Sequence, residues 1–303
     1  MYLVEAVSVL VRRWSFTQRH LSYYLLLADV RLRRSVLGSS LTLNDFDLVI
    51  CAHPNDAALL TVDTSTPTFY DCPNPWTDEL RDEGRLTDRQ ASKLQRFESE
   101  LYERVDHLSF SWVSYARHVL ASDGYDVSGR NITQLNWGCD PAPQRAEFRD
   151  PPRVIYLGSL SSKFIDIELL GRLSKSYPHI DVYGGPPPDP SLGLNYLGWA
   201  PPTVLQQYQF GLITCTKDEM RRNGFSAKHL DYIAYGLPVL VPAWRRHLDL
   251  LRGSLPYEEE TFTSVIAALG SEDAWRQASD EAYEQALELT WDNTLRPLGE
   301  LLD

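Results

Sequence analysis

The sequence predicts an α/β protein built from two doubly wound, parallel-sheet domains, and three observations carry that reading. Short apolar runs alternate with longer helical patterns through most of the 303 residues, as β-α-β units require. A proline-rich passage from Pro141-Ala-Pro143 to Pro151-Pro152 reads as a linker and splits the alternation into two halves, 1–145 and 151–285. Several runs, Val239-Leu-Val241 among them, have no wet face, which suits strands covered by helices on both sides.

Composition sets the outer limits. With 43% hydrophobic residues, a chain of this length fills two ordinary cores. No apolar run reaches 18 residues, so no spanning helix is expected, and Met1-Tyr-Leu-Val-Glu5 lacks a signal peptide's basic start. The four cysteines have no paired spacing. Cys51, Cys139 and Cys215 sit in or beside apolar runs, which predicts reduced, buried thiols and a cytoplasmic protein. No Cys/His cluster has zinc spacing. A net charge of −12 argues against general nucleic-acid binding. The charge is uneven: residues 1–40 carry about +4 and the remainder about −16. The basic, aromatic stretch over residues 12–34 reads either as a connecting helix or as a helix lying peripherally on an anionic membrane surface, here the inner face.

Taken in order, Tyr2–Glu5 reads as a buried strand, and Asp47–Ala52 as the next, followed by His53-Pro-Asn-Asp56. Pro67–Asp71 is a strand that runs into Cys72-Pro-Asn-Pro-Trp76. One long polar helix is expected over 77–104, a strand over Asp106–Phe110, a helix over Val113–Leu120 and a strand over Ile132–Leu135. The second half opens with strand Arg153–Leu157, the polar loop Gly158–Ser162, Lys163 and a helix holding Ile165, Ile167, Leu169 and Leu170. Strand His179–Tyr183, Gly184-Gly185, a short strand over Asn195–Trp199, a helix after Pro201-Pro202 and strand Phe210–Cys215 follow. Sheets of this kind bind ligands beyond the carboxyl ends of their strands, where each of these polar loops falls.

The most informative stretch is Gly224–Pro242. Ser226 is a natural N-cap, Leu230, Ile233 and Ala234 recur at helical spacing, and Gly236 with Pro238 stops the helix. Lys228 sits in the first turn, where the helix dipole disfavours a cation, and Asp231 lies three residues on. Two readings stand. Lys228 and the free amides could bind a phosphate, with Asp231 taking a ribose hydroxyl pair, or the two side chains form an i,i+3 salt bridge.

Four strings then share one order: Val154-Ile-Tyr-Leu-Gly-Ser, Val182-Tyr-Gly-Gly, Tyr196-Leu-Gly-Trp and Ser226-Ala-Lys-His-Leu-Asp-Tyr-Ile-Ala-Tyr-Gly-Leu-Pro-Val. Together they resemble the donor domain of GT-B-fold, nucleotide-sugar-dependent glycosyltransferases of the group 1 type. The first half is similar to the acceptor domain at Phe69-Tyr-Asp-Cys, at Phe97-Glu-Ser-Glu100 with Val105-Asp106, and at Asn136-Trp-Gly-Cys-Asp140. The resemblance covers about residues 45–300 and implies two Rossmann-like domains facing across a cleft, with the terminal helix over 286–303 crossing back to the first.

It also implies roles. Lys228 would neutralise the donor diphosphate and Asp231, where relatives often have Glu, would hold the ribose. Gly158, Ser159 and Ser162 would admit the distal phosphate, with Lys163 as a second cation. Gly184 and Leu197 would border the nucleobase, Glu219 and Asn223 would reach the sugar, and Ser226 would cap the helix. The co-substrate would be a UDP- or GDP-linked sugar, with no resident cofactor and no metal. Asp45-Phe-Asp47 looks like a metal-binding Asp-x-Asp but precedes a strand, with Phe46 expected in the core, so it reads as structural.

Two departures stand out. Relatives begin with a strand, a Gly-rich turn and a helix, whereas this chain opens at what would be the second strand. In the loop Tyr70–Trp76, some relatives carry an Asp pair, and here Asn74-Pro75 stands. An inverting transfer needs a base, for which Asp71 and His53, with Asp78, are the local candidates; a retaining one would lean on Lys228. The expected activity is sugar transfer to an acceptor hydroxyl of a glycan, a lipid-linked sugar or a modified nucleic acid. A nucleotide-sugar 2-epimerase and a catalytically silent nucleotide-sugar binder are the alternatives.

Overall fold

Short, apolar, β-rich segments form the two sheets of the computed structural model, which describes residues 44, 46–51, 65–72, 76–110, 131–133, 135–218, 221–222, 224, 226–245 and 251–301. Strand Tyr2–Glu5, the basic stretch 12–34 and helix Val113–Leu120 lie outside the described residues. The chain divides into two units, Met1–Leu135 with Pro297–Asp303, and Asn136–Arg296.

In the first unit, β1 (Val49–Cys51), β2 (Thr68–Cys72), β3 (His107–Phe110) and β4 (Asn131–Thr133) lie side by side in chain order, all parallel. The Asp106 carboxylate accepts from the amide and hydroxyl of Thr68, both at 2.8 Å, and ties the starts of β2 and β3. The single helix expected over 77–104 is two, α1 (Trp76–Asp82) and α2 (Asp88–Arg104). Gly84, at φ +68°, takes the left-handed turn that ends the first. Thr87 and Gln90 then form a reciprocal capping box that starts the second. Glu98 on α2 is buried and accepts from the Thr77 hydroxyl at 2.5 Å. Phe46, expected in the core, is half exposed on a bend, and its carbonyl accepts from Thr66 Oγ1 at 3.1 Å.

The second unit holds β5 (Val154–Leu157), β6 (Ile180–Tyr183), β7 (Asn195–Tyr196), β8 (Phe210–Leu212), β9 (Val239–Pro242) and β10 (Ser254–Tyr257). The sheet runs β10-β9-β8-β5-β6-β7, and every pair is parallel. The chain therefore winds outward from β5 one way, then returns to β8 and winds the other way. Helix α3 (Ile167–Ser176) starts at Asp166, whose carboxylate caps the Leu169 amide at 2.8 Å. Helix α4 (Ala227–Ala234) buries Leu230, Ile233 and Ala234, and Gly236 stops it at φ +73°. Helices α5 (Phe262–Ala268), α6 (Glu272–Glu288) and α7 (Trp291–Gly299) complete the chain. The helix expected after Pro201-Pro202 is a 3-10 turn, Pro202–Gln207.

The α6 helix lies against α4 and presents Trp275, Ala278, Ala282 and Ala286 inward. A methyl on Gly253 would strike Ala282, so both small residues are needed for close approach. The passage 136–152 is not a free linker. Its Ala142 and Ala146 amides bond the Ala234 and Tyr235 carbonyls at the end of α4, and Arg145 pairs with Asp280 on α6.

A buried carboxylate ties neighbouring strands together on the β7 side of the sheet. Asp181 on β6 is paired with Arg153 and accepts from Tyr208 Oη at 2.7 Å and Asn195 Nδ2 at 2.6 Å. Asp181→Ala strands those donors and is expected to cost about 3 kcal/mol, read as a lower midpoint in urea unfolding.

Candidate functional site

Strands β5 and β8 pair at Val154–Phe210 and Ile155–Gly211 and then separate. This fork is where the strand order reverses, and beyond it lies the crevice in which such sheets place ligands. Tyr232, on α4, occupies the fork. Its hydroxyl accepts from the Leu157 amide at 2.9 Å and donates to the Leu212 carbonyl at 3.2 Å. Its ring covers Gly211, where any side chain would overlap it. Burial keeps the phenol in its neutral form.

The same helix brings Lys228 to the end of β5. A methyl on Gly158 would overlap Lys228 Cε and lie 3.1 Å from Nζ, and Gly158 itself adopts φ +147°. Nζ stands 5.5 Å from the centre of the Tyr156 ring. Among the described residues, Lys228 has no hydrogen bond and no ion pair, so the salt-bridge reading with Asp231 does not hold. Asp231 is close enough to favour the charged lysine, but burial outweighs it and pulls the Lys228 pKa down. Asp231 is raised in turn, by desolvation more than Lys228 lowers it.

Ser226 stands at the N-cap position, yet its hydroxyl makes no capping bond; its carbonyl accepts from the His229 amide at 2.9 Å. Among the described residues the Ala227 and Lys228 amides are unpaired, as the first turn of a helix leaves them. Gly184 packs on Gly158, its ideal Cβ 3.0 Å from the Gly158 carbonyl carbon, and its amide bonds the Gly198 carbonyl at 2.7 Å. Leu197 donates its amide to Val182 and exposes 45% of its surface. Gly158, Gly184, Leu197 and Lys228 are thus gathered around the carboxyl ends of β5, β6 and β7, while Asp231 is exposed on α4, within electrostatic reach of Lys228. Ser159 Oγ meets Ser161 Oγ at 2.7 Å and curls the Gly158–Ser162 loop. Ser162 anchors the loop's end by accepting from Ile165, and Lys163 is exposed. His53, Glu219 and Asn223 lie outside the described residues.

Three features carried no sequence signal. Tyr156 offers its ring to Lys228. Trp199, one residue past Gly198, is 79% exposed. Arg221, stacked on Phe164 at 4.5 Å, and buried Arg245, which donates to the Gly224 carbonyl, both oppose the upward push of burial on the Cys215 thiol. Lys228 is also within electrostatic reach of Cys215, so three cations converge beyond β8. All four cysteines are buried and none is in a disulfide among the described residues, as the apolar settings of Cys51, Cys139 and Cys215 predict.

In the first unit, Asp71 is half-buried near the end of β2 and faces Ser109 on β3. Burial raises its carboxyl, and Ser109 pulls it part of the way back. No group of metal ligands occurs among the described residues, and no described helix is long and apolar enough to cross a membrane.

No protein-family model and no curated protein matches the sequence. Solved structures do match. A sucrose-phosphate synthase from Thermosynechococcus elongatus aligns over 92% of this chain and 77% of its own, at TM-score 0.66 and 12% identity. Anabaena HepE, solved with UDP and glucose, aligns over 92% and 80%, at TM-score 0.62 and 14% identity. TarM aligns over 91% of this chain at TM-score 0.64 and 12% identity, and the chain spans 58% of TarM's length. The fold is GT-B.

A half-buried cation whose desolvation Asp231 offsets only in part is a stability cost. Lys228→Met is expected to raise the thermal midpoint by a few degrees at neutral pH. The folded pKa lies below the ordinary 10.5, so the wild type sheds a proton that the unfolded chain keeps. The variant's advantage therefore shrinks as pH rises toward 10.5, which midpoints measured across alkaline buffers would show.

Proposed function

We propose that the protein is a glycosyltransferase that moves a sugar from a nucleoside diphosphate to an acceptor hydroxyl, without a metal. The observation that carries this reading is Lys228: a half-buried cation over a glycine, with no hydrogen bond or close ion pair among the described residues, at a helix start beyond the sheet's fork. A diphosphate supplies the missing anion. In the transfer, the bond from the anomeric carbon to the distal phosphate oxygen breaks and the electron pair stays on that oxygen. Lys228 and the first-turn amides of α4 stabilise the charge that develops there. Asp231 takes the ribose hydroxyls. The Gly158–Ser162 loop admits the distal phosphate and Lys163 adds charge at its rim. Leu197 and Trp199 offer the apolar surface that a nucleobase face needs, beside Gly184. Glu219 and Asn223 are assigned to the sugar.

HepE with UDP-glucose and TarM with UDP and α-GlcNAc-glycerol support a nucleotide-sugar donor and a glycan-like acceptor for this chain. A thermal-shift screen over nucleoside diphosphates would name the base. Lys228→Met is expected to weaken the preferred diphosphate about a hundredfold, by roughly 3 kcal/mol, for loss of a charge-assisted contact. Unchanged affinity in calorimetry would overturn the reading, and binding without transfer to any acceptor would favour a silent binder.

Asp71 is assigned as the base that takes the acceptor proton. Because its carboxyl is raised, the acid limb of the rate profile should lie above the usual aspartate range. Asp71→Asn should lower kcat by at least about a hundredfold. A variant that keeps its rate would point instead to His53 or to a retaining transfer.

A further inference from the structure

We propose that Tyr232 is a positioning residue that sets the geometry of the diphosphate site from inside the fork, an inference that rests on the donor-site reading above. Lys228 and Tyr232 are one helical turn apart on the same face of α4. Lys228 covers Gly158, and Tyr232 accepts from the amide of Leu157, the residue before it. The two side chains therefore grip consecutive residues at the end of β5. The Tyr232 hydroxyl also donates to Leu212 on β8, so one atom fixes α4 to both arms of the fork. The ladder between β5 and β8 has ended by then, and no backbone bond between those two strands does this work. A phenol is suited to the task, because it accepts and donates at once and a phenyl ring does neither. The ring seated on Gly211 keeps the hydroxyl from withdrawing.

The test separates positioning from general stability by comparing the diphosphate with the monophosphate of one nucleoside, UDP with UMP, or GDP with GMP if guanine is preferred. Tyr232→Phe removes a single oxygen and preserves the packing. Calorimetry well below the thermal midpoint is expected to give near wild-type monophosphate affinity. The factor by which the diphosphate binds better should fall about tenfold, as loss of one fixed hydrogen-bonded contact predicts. Gly211→Ala, which displaces the ring and keeps the hydroxyl, should lower the same factor. Wild-type factors in both variants, with Lys228→Met still impaired, would overturn the positioning role and leave the donor site standing. Equal loss of mono- and diphosphate affinity would make Tyr232 merely structural. A wild type that binds neither nucleotide would overturn the donor site and this assignment together.

Discussion

The second unit depends on how one hydroxyl resolves the separation of two strands. Parallel strands that diverge leave an amide on one side and a carbonyl on the other, each costly to bury unpaired. Here those groups are Leu157 N–H and Leu212 C=O, and Tyr232 satisfies both. The solution forces a glycine at position 211 and brings α4 down onto the fork. It also places the start of α4, with Lys228, over the end of β5. Packing and site are consequences of one contact.

The surroundings of α4 are built to hold that placement. Gly236 stops the helix at its far end, and the Ala142 and Ala146 amides take up its last carbonyls. The alanine face of α6 backs it, with Gly253 allowing the close approach. On the other side of the fork, Gly158 and Gly184 meet backbone to backbone, and Gly198 accepts from Gly184. Glycine at 158 is favoured by its positive φ, and the end of the Lys228 side chain lies directly over it.

Electrostatics work against this packing. Lys228 is half-buried beside an aromatic ring, Arg221 and Arg245 stand in the same region, and Asp231 offsets the desolvation only in part. A protein selected for stability alone would place an apolar residue at 228. In the donor-site reading proposed above, an incoming diphosphate would supply the compensation that Asp231 gives only in part. The Asp71 carboxyl in the first unit is likewise raised by burial, which Ser109 offsets only in part.

Much of the fold was legible in the chain. Val154–Leu157 and Val239–Val241 announce buried strands by composition, and Gly236-Leu-Pro238 announces a helix stop, because these signals are local. Gly84 and the Thr87–Gln90 box are local too, and they account for the break in a helix that polarity alone made continuous. Lys228 stood out for its place in a first helical turn. Sequence could not separate a salt bridge from an open cation there, because spacing puts Asp231 on the same face without fixing a distance. Ser226 likewise held the N-cap position while its hydroxyl took no capping bond. The partners of Lys228, which are Gly158 and Tyr156, lie some seventy residues away, and Tyr232 reads in sequence as one more buried aromatic. By itself the sequence determined which segments are strands and helices and that a cation opens α4. Only the tertiary structure decided what that cation faces, because the contact is made where two strands distant in the chain diverge.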